Sequence, residues 1–192
     1  MSAGSERRVL HRGKKFDLEM VSFRGRSGET VEREVVRHGG AACILPLLPA
    51  EEGGGVARIV MVRVFRVSLG AEHLELPAGT MDKGEEPARC AARELEEETG
   101  YRAGELVSLG WFHTTPGMTD ERMHAFVARG LEYKGQDLEE DEALAVAEIE
   151  VPKVLGMLDR GEITDGKTIA TLALALRRGL LPVEGVGRGG AR

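Results

Sequence analysis

The segment that ends at Gly100 constrains the fold most, because it contains the clearest helix of the chain. Residues 86–99 include no glycine and are rich in Ala, Glu, Arg and Leu, and the glycine that follows them is a common helix stop. A short apolar strand at 73–76 precedes this helix and runs into Pro77-Ala78-Gly79. The segment therefore predicts a strand, a turn and a helix in direct succession.

Short β segments dominate the rest of the pattern. Residues 9–36, with a turn-like stretch at 26–29, predict a hairpin or small sheet placed before the main body. Strands mixed with few helices favour an α+β chain or an α/β/α sandwich. The further predicted strands are 41–48, 57–65, 106–112, 122–128 and 144–151, and the further predicted helices are 152–160 and 165–178.

Composition excludes several classes of protein. The net charge of -6 gives no basic surface for a nucleic acid backbone, so we expect no nucleic acid partner. The sequence has no run of 18 apolar residues and no signal-peptide pattern, which predicts a cytoplasmic protein without a membrane segment. Cys43 and Cys90 lie in apolar or helical contexts and are predicted to be buried thiols. The Gly/Arg-rich residues 183–192 are predicted to form a disordered tail.

Three glutamates of the predicted helix share one face. At about 100° per residue, Glu94, Glu97 and Glu98 project in similar directions. Exposed like charges at this spacing repel by on the order of a few tenths of a kcal/mol per pair. A bound Mg²⁺ or Mn²⁺ would explain the cluster, because these hard cations prefer carboxylate oxygens. The alternative is an ordinary solvated acidic face.

The glutamates belong to a longer pattern of fixed spacing. It reads Gly79, five residues, Glu85, seven residues, Arg93-Glu94-Leu95, one residue, Glu97-Glu98, one residue, Gly100 and Tyr101. The pattern resembles the signature of the Nudix hydrolase family in every position except the last, where an aliphatic residue is usual and Tyr101 stands instead. We expect this bulky and largely apolar side chain to pack in place of the aliphatic one.

The resemblance implies a fold and a metal site. The expected fold is a Nudix-type α/β/α sandwich with a mixed sheet at 39–182, preceded by a small N-terminal antiparallel β domain at 1–38 that forms a homodimer. Glu94 and Glu98 would be the principal ligands of Mg²⁺ or Mn²⁺, and the carbonyl of Ala78 would complete part of the shell. Glu97 would assist them.

The resemblance also implies how the catalytic groups are arranged. Glu85 would pair with Arg93 and fix the loop against the helix. In several relatives a glutamate from a loop outside the signature approaches the attacking water, and the acidic run at 139–142 lies in the matching place. Glu142 is the predicted general base, with Glu140 as second choice. A solvated acidic loop is the alternative.

A subgroup of this family, the ADP-ribose pyrophosphatases, is similar over most of the chain. The markers are 74–79, the strand 62–66, Pro116 and the segment 161–165 that opens the last helix. The resemblance implies that Arg66 grips the substrate. The residues implied to contact the terminal ribose are Thr115, Gly117 and Glu121. Without the resemblance, Pro116 and Gly117 could be only a turn pair and Arg66 only a surface residue.

These observations lead to one expected function and its alternatives. The expected reaction is metal-dependent hydrolysis of a nucleoside diphosphate sugar, ADP-ribose giving AMP and ribose 5-phosphate. One alternative is a hydrolase of another nucleoside diphosphate sugar or of an oxidised nucleoside diphosphate. Another is a non-catalytic sensor of a nucleotide metabolite, although a pure binder has no need for the complete set of glutamates.

Overall fold

The computed structural model describes residues 6–51, 54–136 and 144–182. The strands are β1 (Glu6–Arg12), β2 (Phe16–Arg24), β3 (Thr30–His38), β4 (Ala41–Leu48), β5 (Arg58–Arg66), β6 (Ala71–Glu75), β7 (Ala78–Thr80), β8 (Tyr101–Arg102), β9 (Glu105–His113), β10 (Arg122–Arg129), β11 (Glu132–Tyr133) and β12 (Leu144–Glu150). The helices are α1 (Pro87–Thr99), α2 (Val151–Asp159) and α3 (Gly166–Arg177). From β4 onward each predicted strand and helix is present, with ends within two residues of the prediction. The short strands β7, β8 and β11 are additional.

An antiparallel sheet of three strands, in the order β1-β2-β3, precedes the main body. Strands β2 and β3 pair along their whole length, from Phe16 opposite His38 to Arg24 opposite Thr30. Gly28 at φ 88° supplies the left-handed residue in the turn between them. Strand β1 is exposed at every residue. The predicted N-terminal antiparallel β unit is confirmed.

The main sheet is mixed. Its strands follow the order β12-β5-β4-β10-β9, with β6 on β5 and β7 on β4. Strand β4 runs parallel to β10 and antiparallel to β5 and β7. Residues 41–46 of β4 are all buried, as expected for a central strand covered on both faces.

Helices cover both faces of this sheet. Side chains alternate along a strand, so neighbours in β4 point into different cores. Ala42 and Ile44 pack with Leu95 of α1 in one core. Cys43 and Leu45 belong to the other core, which includes residues of α2 and α3. The α/β/α sandwich is therefore confirmed.

The end of α1 and the burial of both cysteines are as predicted from the sequence. Gly100 ends α1 at φ 75°, and its N–H donates to the carbonyl of Glu96 at 2.8 Å. Cys43 and Cys90 are free thiols in the two cores, and burial is the main cause that raises the pKa of each to about 12. Of the described helices, none is long and apolar enough to span a membrane.

Candidate active site

The site begins where β7 passes α1. A Cβ atom on Gly79 would lie 1.9 Å from the carboxylate carbon of Glu94, closer than real side chains approach. Gly79 is not among the glycines with positive φ, so its backbone conformation is open to other residues. Glycine is required here because the absence of a side chain lets Glu94 reach the strand. One helical turn later, the Ala78 N–H donates to Oε2 of Glu98 at 3.0 Å.

The inner face of α1 carries two carboxylates beside apolar side chains. Glu94 and Glu98 are only 9% and 8% exposed, and they share this face with Cys90 and Leu95. The side chain of Glu97 is 39% exposed at the edge of the same face. Burying ionised carboxylates is costly unless a positive group compensates them. The solvated acidic helix face is therefore not what the structure contains at these two positions.

Arg93 pairs with two of these three glutamates, Glu94 and Glu97. Its Nη1 donates to Oε1 of Glu94 at 2.8 Å and to Oε2 of Glu97 at 3.0 Å. Its Nε and Nη2 donate to the two oxygens of Glu85, and Nη2 also reaches the carbonyl of Thr80. Hydrogen bonding to Glu85 is the main cause that raises the pKa of Arg93, against the opposing effect of burial. The expected Glu85–Arg93 pair is formed.

Carboxylate oxygens brought against the backbone of Ala78 and Gly79 make a donor set that suits a hard divalent cation. Within residues 6–51, 54–136 and 144–182, no group of three or more His, Cys, Asp or Glu side chains is arranged to hold a metal ion. Arg93 accounts for part of this arrangement, because it binds Glu94 and Glu97 together. The buried Glu94 and Glu98 are the residues of α1 that would hold such a cation.

A cavity of about 700 Å³ opens beside Ala78 and Gly79. Of the residues expected to bind substrate, Arg66, Thr115 and Glu121 line it. Gly117 is exposed and is not among the lining residues. The other lining residues are Phe16, Val36, His38, Ala41, Thr80, Phe112, His113, Thr114, Met118, Thr119, Met123, Asp165, Gly166, Lys167 and Ala170.

The loop between β9 and β10 forms one wall of the cavity, and strand β3 holds it. The Val36 N–H donates to the Met118 carbonyl at 2.9 Å. Arg37 pairs with Asp120 at 2.9 Å, so the N-terminal sheet is tied to this loop by a side chain as well. Glu121 accepts a hydrogen bond of 2.6 Å from Thr114 Oγ1. The N-terminal sheet thus positions the loop expected to contact the sugar.

A second part of the cavity wall, formed by Arg66, Asp165 and Lys167, belongs to a cluster of charges that the sequence predicted only in part. Arg66 donates from Nε and Nη2 to the two oxygens of Glu75, at 2.9 and 2.6 Å. Lys167 donates to Glu75 as well and lies 3.0 Å from Oδ2 of Asp165. Burial raises the pKa of Glu75. Arg66 and Lys167 lower it by more than burial raises it, so the pKa is about 2. The available signal was a glutamate among apolar neighbours in Leu74-Glu75-Leu76.

The profile of the NUDIX domain matches residues 37–172. The chain belongs to the Nudix family. It is 39% identical over 158 residues to an ADP-ribose pyrophosphatase of Bacillus subtilis (strain 168). These aligned residues make up 81% of this chain and 82% of the relative. A GDP-mannose pyrophosphatase of Escherichia coli O1:K1 / APEC is 34% identical over 170 residues, 82% of this chain and 86% of the relative.

A solved structure confirms the fold at the level of backbone geometry. An ADP compounds hydrolase superposes with a TM-score of 0.76 at 22% identity and covers 91% of each chain. The Nudix match and the pyrophosphatase relatives together make this chain a pyrophosphohydrolase. The helix with the glutamates lies inside the matched region.

Tyr101 is the last position of the signature pattern, and Gln136 contacts the end of the same helix. Tyr101 packs against the core that includes α1, as expected for a side chain in the place of an aliphatic one. Its hydroxyl also donates to Glu148 at 2.6 Å, a bond that an aliphatic side chain could not make. Gln136 donates to the backbone carbonyl of Glu98 at 2.6 Å. Glu140 and Glu142 lie outside the described residues.

Proposed function

We propose that this Nudix enzyme hydrolyses ADP-ribose to AMP and ribose 5-phosphate with Mg²⁺ or Mn²⁺ as cofactor. One observation carries the proposal. The buried carboxylates of α1 contact Ala78 and Gly79, and the same two residues line the cavity of about 700 Å³. That volume is within the usual range of about 300–1,000 Å³ for small-molecule sites. A pyrophosphate in the cavity would therefore lie next to the carboxylates.

The proposed catalytic groups have distinct roles. Glu94, Glu98 and the carbonyl of Ala78 would hold the metal, with Glu97 assisting. When bound, the divalent cation neutralises phosphate oxygens and lowers the pKa of the attacking water. Glu85 keeps Arg93 in place beside these carboxylates.

The general base is proposed to be Glu142, which removes the proton from the attacking water. Glu142→Gln should then depress kcat more than it changes KM. An unchanged kcat would move the base to Glu140 or away from the acidic run.

Substrate binding is proposed for the two walls of the cavity. Arg66 would bind the phosphates, since a guanidinium matches the geometry of phosphate oxygens. Thr115, Gly117 and Glu121 would contact the terminal ribose from the loop that β3 anchors. The 39% identical Bacillus subtilis ADP-ribose pyrophosphatase supports this choice of substrate.

A second candidate is a hydrolase of another nucleoside diphosphate sugar, favoured by the GDP-mannose pyrophosphatases that are 34% identical. The test is a panel of ADP-ribose, GDP-mannose, UDP-glucose and 8-oxo-dGDP with Mg²⁺, Mn²⁺ or EDTA, with products separated by chromatography. We expect ADP-ribose to give the highest kcat/KM and EDTA to abolish turnover. A higher kcat/KM for GDP-mannose would support the second candidate, and no turnover of any compound would overturn both.

We also propose that residues 1–38 form a homodimerisation domain beside the catalytic domain at 39–182. The outermost strand β1 is exposed along its length and carries two apolar side chains, Val9 and Leu10, at the surface. Phe16 of the same sheet is half-exposed and lines the cavity. Light scattering at micromolar concentration should give twice the chain mass of 20.8 kDa. A monomeric mass would overturn this proposal.

A further inference from the structure

Lys167 is a buried cation in the wall of the cavity. Its side chain is 12% exposed, and its ammonium group binds the carboxylates of Glu75 and Asp165. Burial lowers the pKa of Lys167, but the charges of Asp165 and Glu75 raise it by more, so the ammonium stays charged at neutral pH. A charged lysine at this depth requires a structural or functional reason, because burying it unpaired would be costly.

The four charged groups of this wall differ in what they face. Arg66, Lys167 and Asp165 line the cavity, whereas Glu75 does not. The side chain of Glu75 is 3% exposed and that of Arg66 is 42% exposed, so the carboxylate lies behind the guanidinium. Two positive and two negative charges make the wall neutral. Removal of Lys167 alone would give it a net charge of minus one.

Arg66 shares one oxygen of Glu75 with Lys167. Oε2 of Glu75 accepts from Nη2 of Arg66 and from the Lys167 ammonium. Arg66 binds Glu75 through Nε and Nη2, so the two N–H donors on its Nη1 are not used in this pair and can bind a ligand. Without Lys167, the full charge of Glu75 would act on Arg66 and cancel its attraction for an anion in the cavity.

We infer that Lys167 is a positioning residue for substrate binding, which compensates Glu75 so that Arg66 keeps its positive charge available to the pyrophosphate. This inference rests on the proposed function, because it takes the ligand of Arg66 to be a nucleoside diphosphate. Lys167 contributes through charge and through its bond to Glu75, without itself contacting the reacting atoms.

The experiment measures binding of α,β-methylene-ADP, whose P–C–P bridge resists hydrolysis, by calorimetry, together with kcat and KM for ADP-ribose. Lys167→Met should raise the Kd and KM roughly tenfold while kcat changes little, because the wall then repels an anion. Lys167→Arg should bind nearly as wild type. Lys153→Met, at an exposed position of α2, is the matched control and should have no effect.

A double variant that removes one positive and one negative charge distinguishes an electrostatic effect of Lys167 from an effect on packing. Lys167→Met combined with Glu75→Gln restores a neutral wall, so most of the lost affinity should return. The effect of Lys167→Met should also shrink between 50 mM and 500 mM salt, since salt screens charge. A double variant that binds as weakly as Lys167→Met would overturn the inference, as would an unchanged Kd in Lys167→Met.

Two further outcomes are decisive. If circular dichroism shows that Lys167→Met does not fold, the Kd of the single variant Glu75→Gln tests the inference. This variant should leave the Kd equal or lower, and a higher Kd would overturn the inference. If wild type binds the analogue but does not hydrolyse ADP-ribose, the proposed function fails while the role of Lys167 is still measured by the same titrations.

Discussion

Glu85 forms a bidentate pair with Arg93, in which its two carboxylate oxygens accept hydrogen bonds from Nε at 3.1 Å and from Nη2 at 3.0 Å. The side chain of Glu85 is only 6% exposed, and Arg93 lowers its pKa. Only Nη1 of Arg93 is therefore directed at Glu94 and Glu97. The pair ties the loop before α1 to the helix.

Weakening this pair should affect metal activation. In Glu85→Gln, Arg93 loses its charged partner and is held more tightly by Glu94 and Glu97, so the Mg²⁺ concentration for half-maximal activity should rise about tenfold. The measurement is ADP-ribose hydrolysis as a function of Mg²⁺. Glu96→Gln, which breaks the pair with Arg102 on the same helix, is the control and should not shift the curve. Equal curves for both variants would rule out this competition.

Glu98→Gln should lower kcat by two or more orders of magnitude, because an amide is a poorer ligand for a hard cation than a carboxylate. The amide oxygen can still accept from the Ala78 N–H, so the fold should persist. Steady-state kinetics at saturating Mg²⁺ and circular dichroism measure the two effects. A near-normal rate at saturating metal would show that Glu98 is not a ligand.

A methyl group at Gly79 should displace Glu94. The new Cβ would lie 1.9 Å from its carboxylate, so Gly79→Ala should cost about 1–3 kcal/mol of unfolding free energy. It should also reduce kcat strongly, because Glu94 moves from the proposed site. Gly39→Ala is the matched control, since its Cβ would meet only the Met81 carbonyl at 3.7 Å. Urea unfolding and kinetics of both variants test this, and similar behaviour of the two would contradict it.

The link between the N-terminal sheet and the loop between β9 and β10 should affect KM. Asp120→Asn weakens the pair with Arg37, an interaction worth about 1 kcal/mol or less at this exposed position. The loop with Glu121 should then be less well fixed, so KM for ADP-ribose should rise several-fold with little change in kcat. Asp17→Asn, in the looser pair with Arg12 at 3.9 Å, is the control. A fall in kcat at constant KM would assign Asp120 another role.

Glu75 should make stability depend on pH. Its pKa in the folded protein is about 2, below the ordinary value of 4.5. The ionised carboxylate therefore stabilises the fold above about pH 4.5, and this contribution is lost as the pH falls toward 2. The difference in unfolding free energy between wild type and Glu75→Gln should shrink from pH 7 to pH 3 in urea titrations. The exposed Glu34→Gln is the control. A constant difference would contradict the prediction.

Long and regular elements were predictable from the sequence. Residues 86–99 lack glycine, and Gly100 supplies the left-handed end, so the sequence predicts the bounds of α1 to within one residue. The apolar run at 41–48 predicts a buried strand, and its ends are those of β4. Strands β8 and β11 escaped prediction because two residues show no periodicity, and they exist by pairing with one another.

The sequence alone determined the helix with its glutamates, because their spacing is local and a regular helix turns a spacing into a shared face. It also supplied the resemblance that led to the Nudix family. Tertiary structure alone decided which carboxylates are buried and which cations they meet. Glu75 and Lys167 are 92 residues apart, and folding joins them because the end of β6 contacts the start of α3. Such a contact has no periodicity along the chain, so only packing could bring it about.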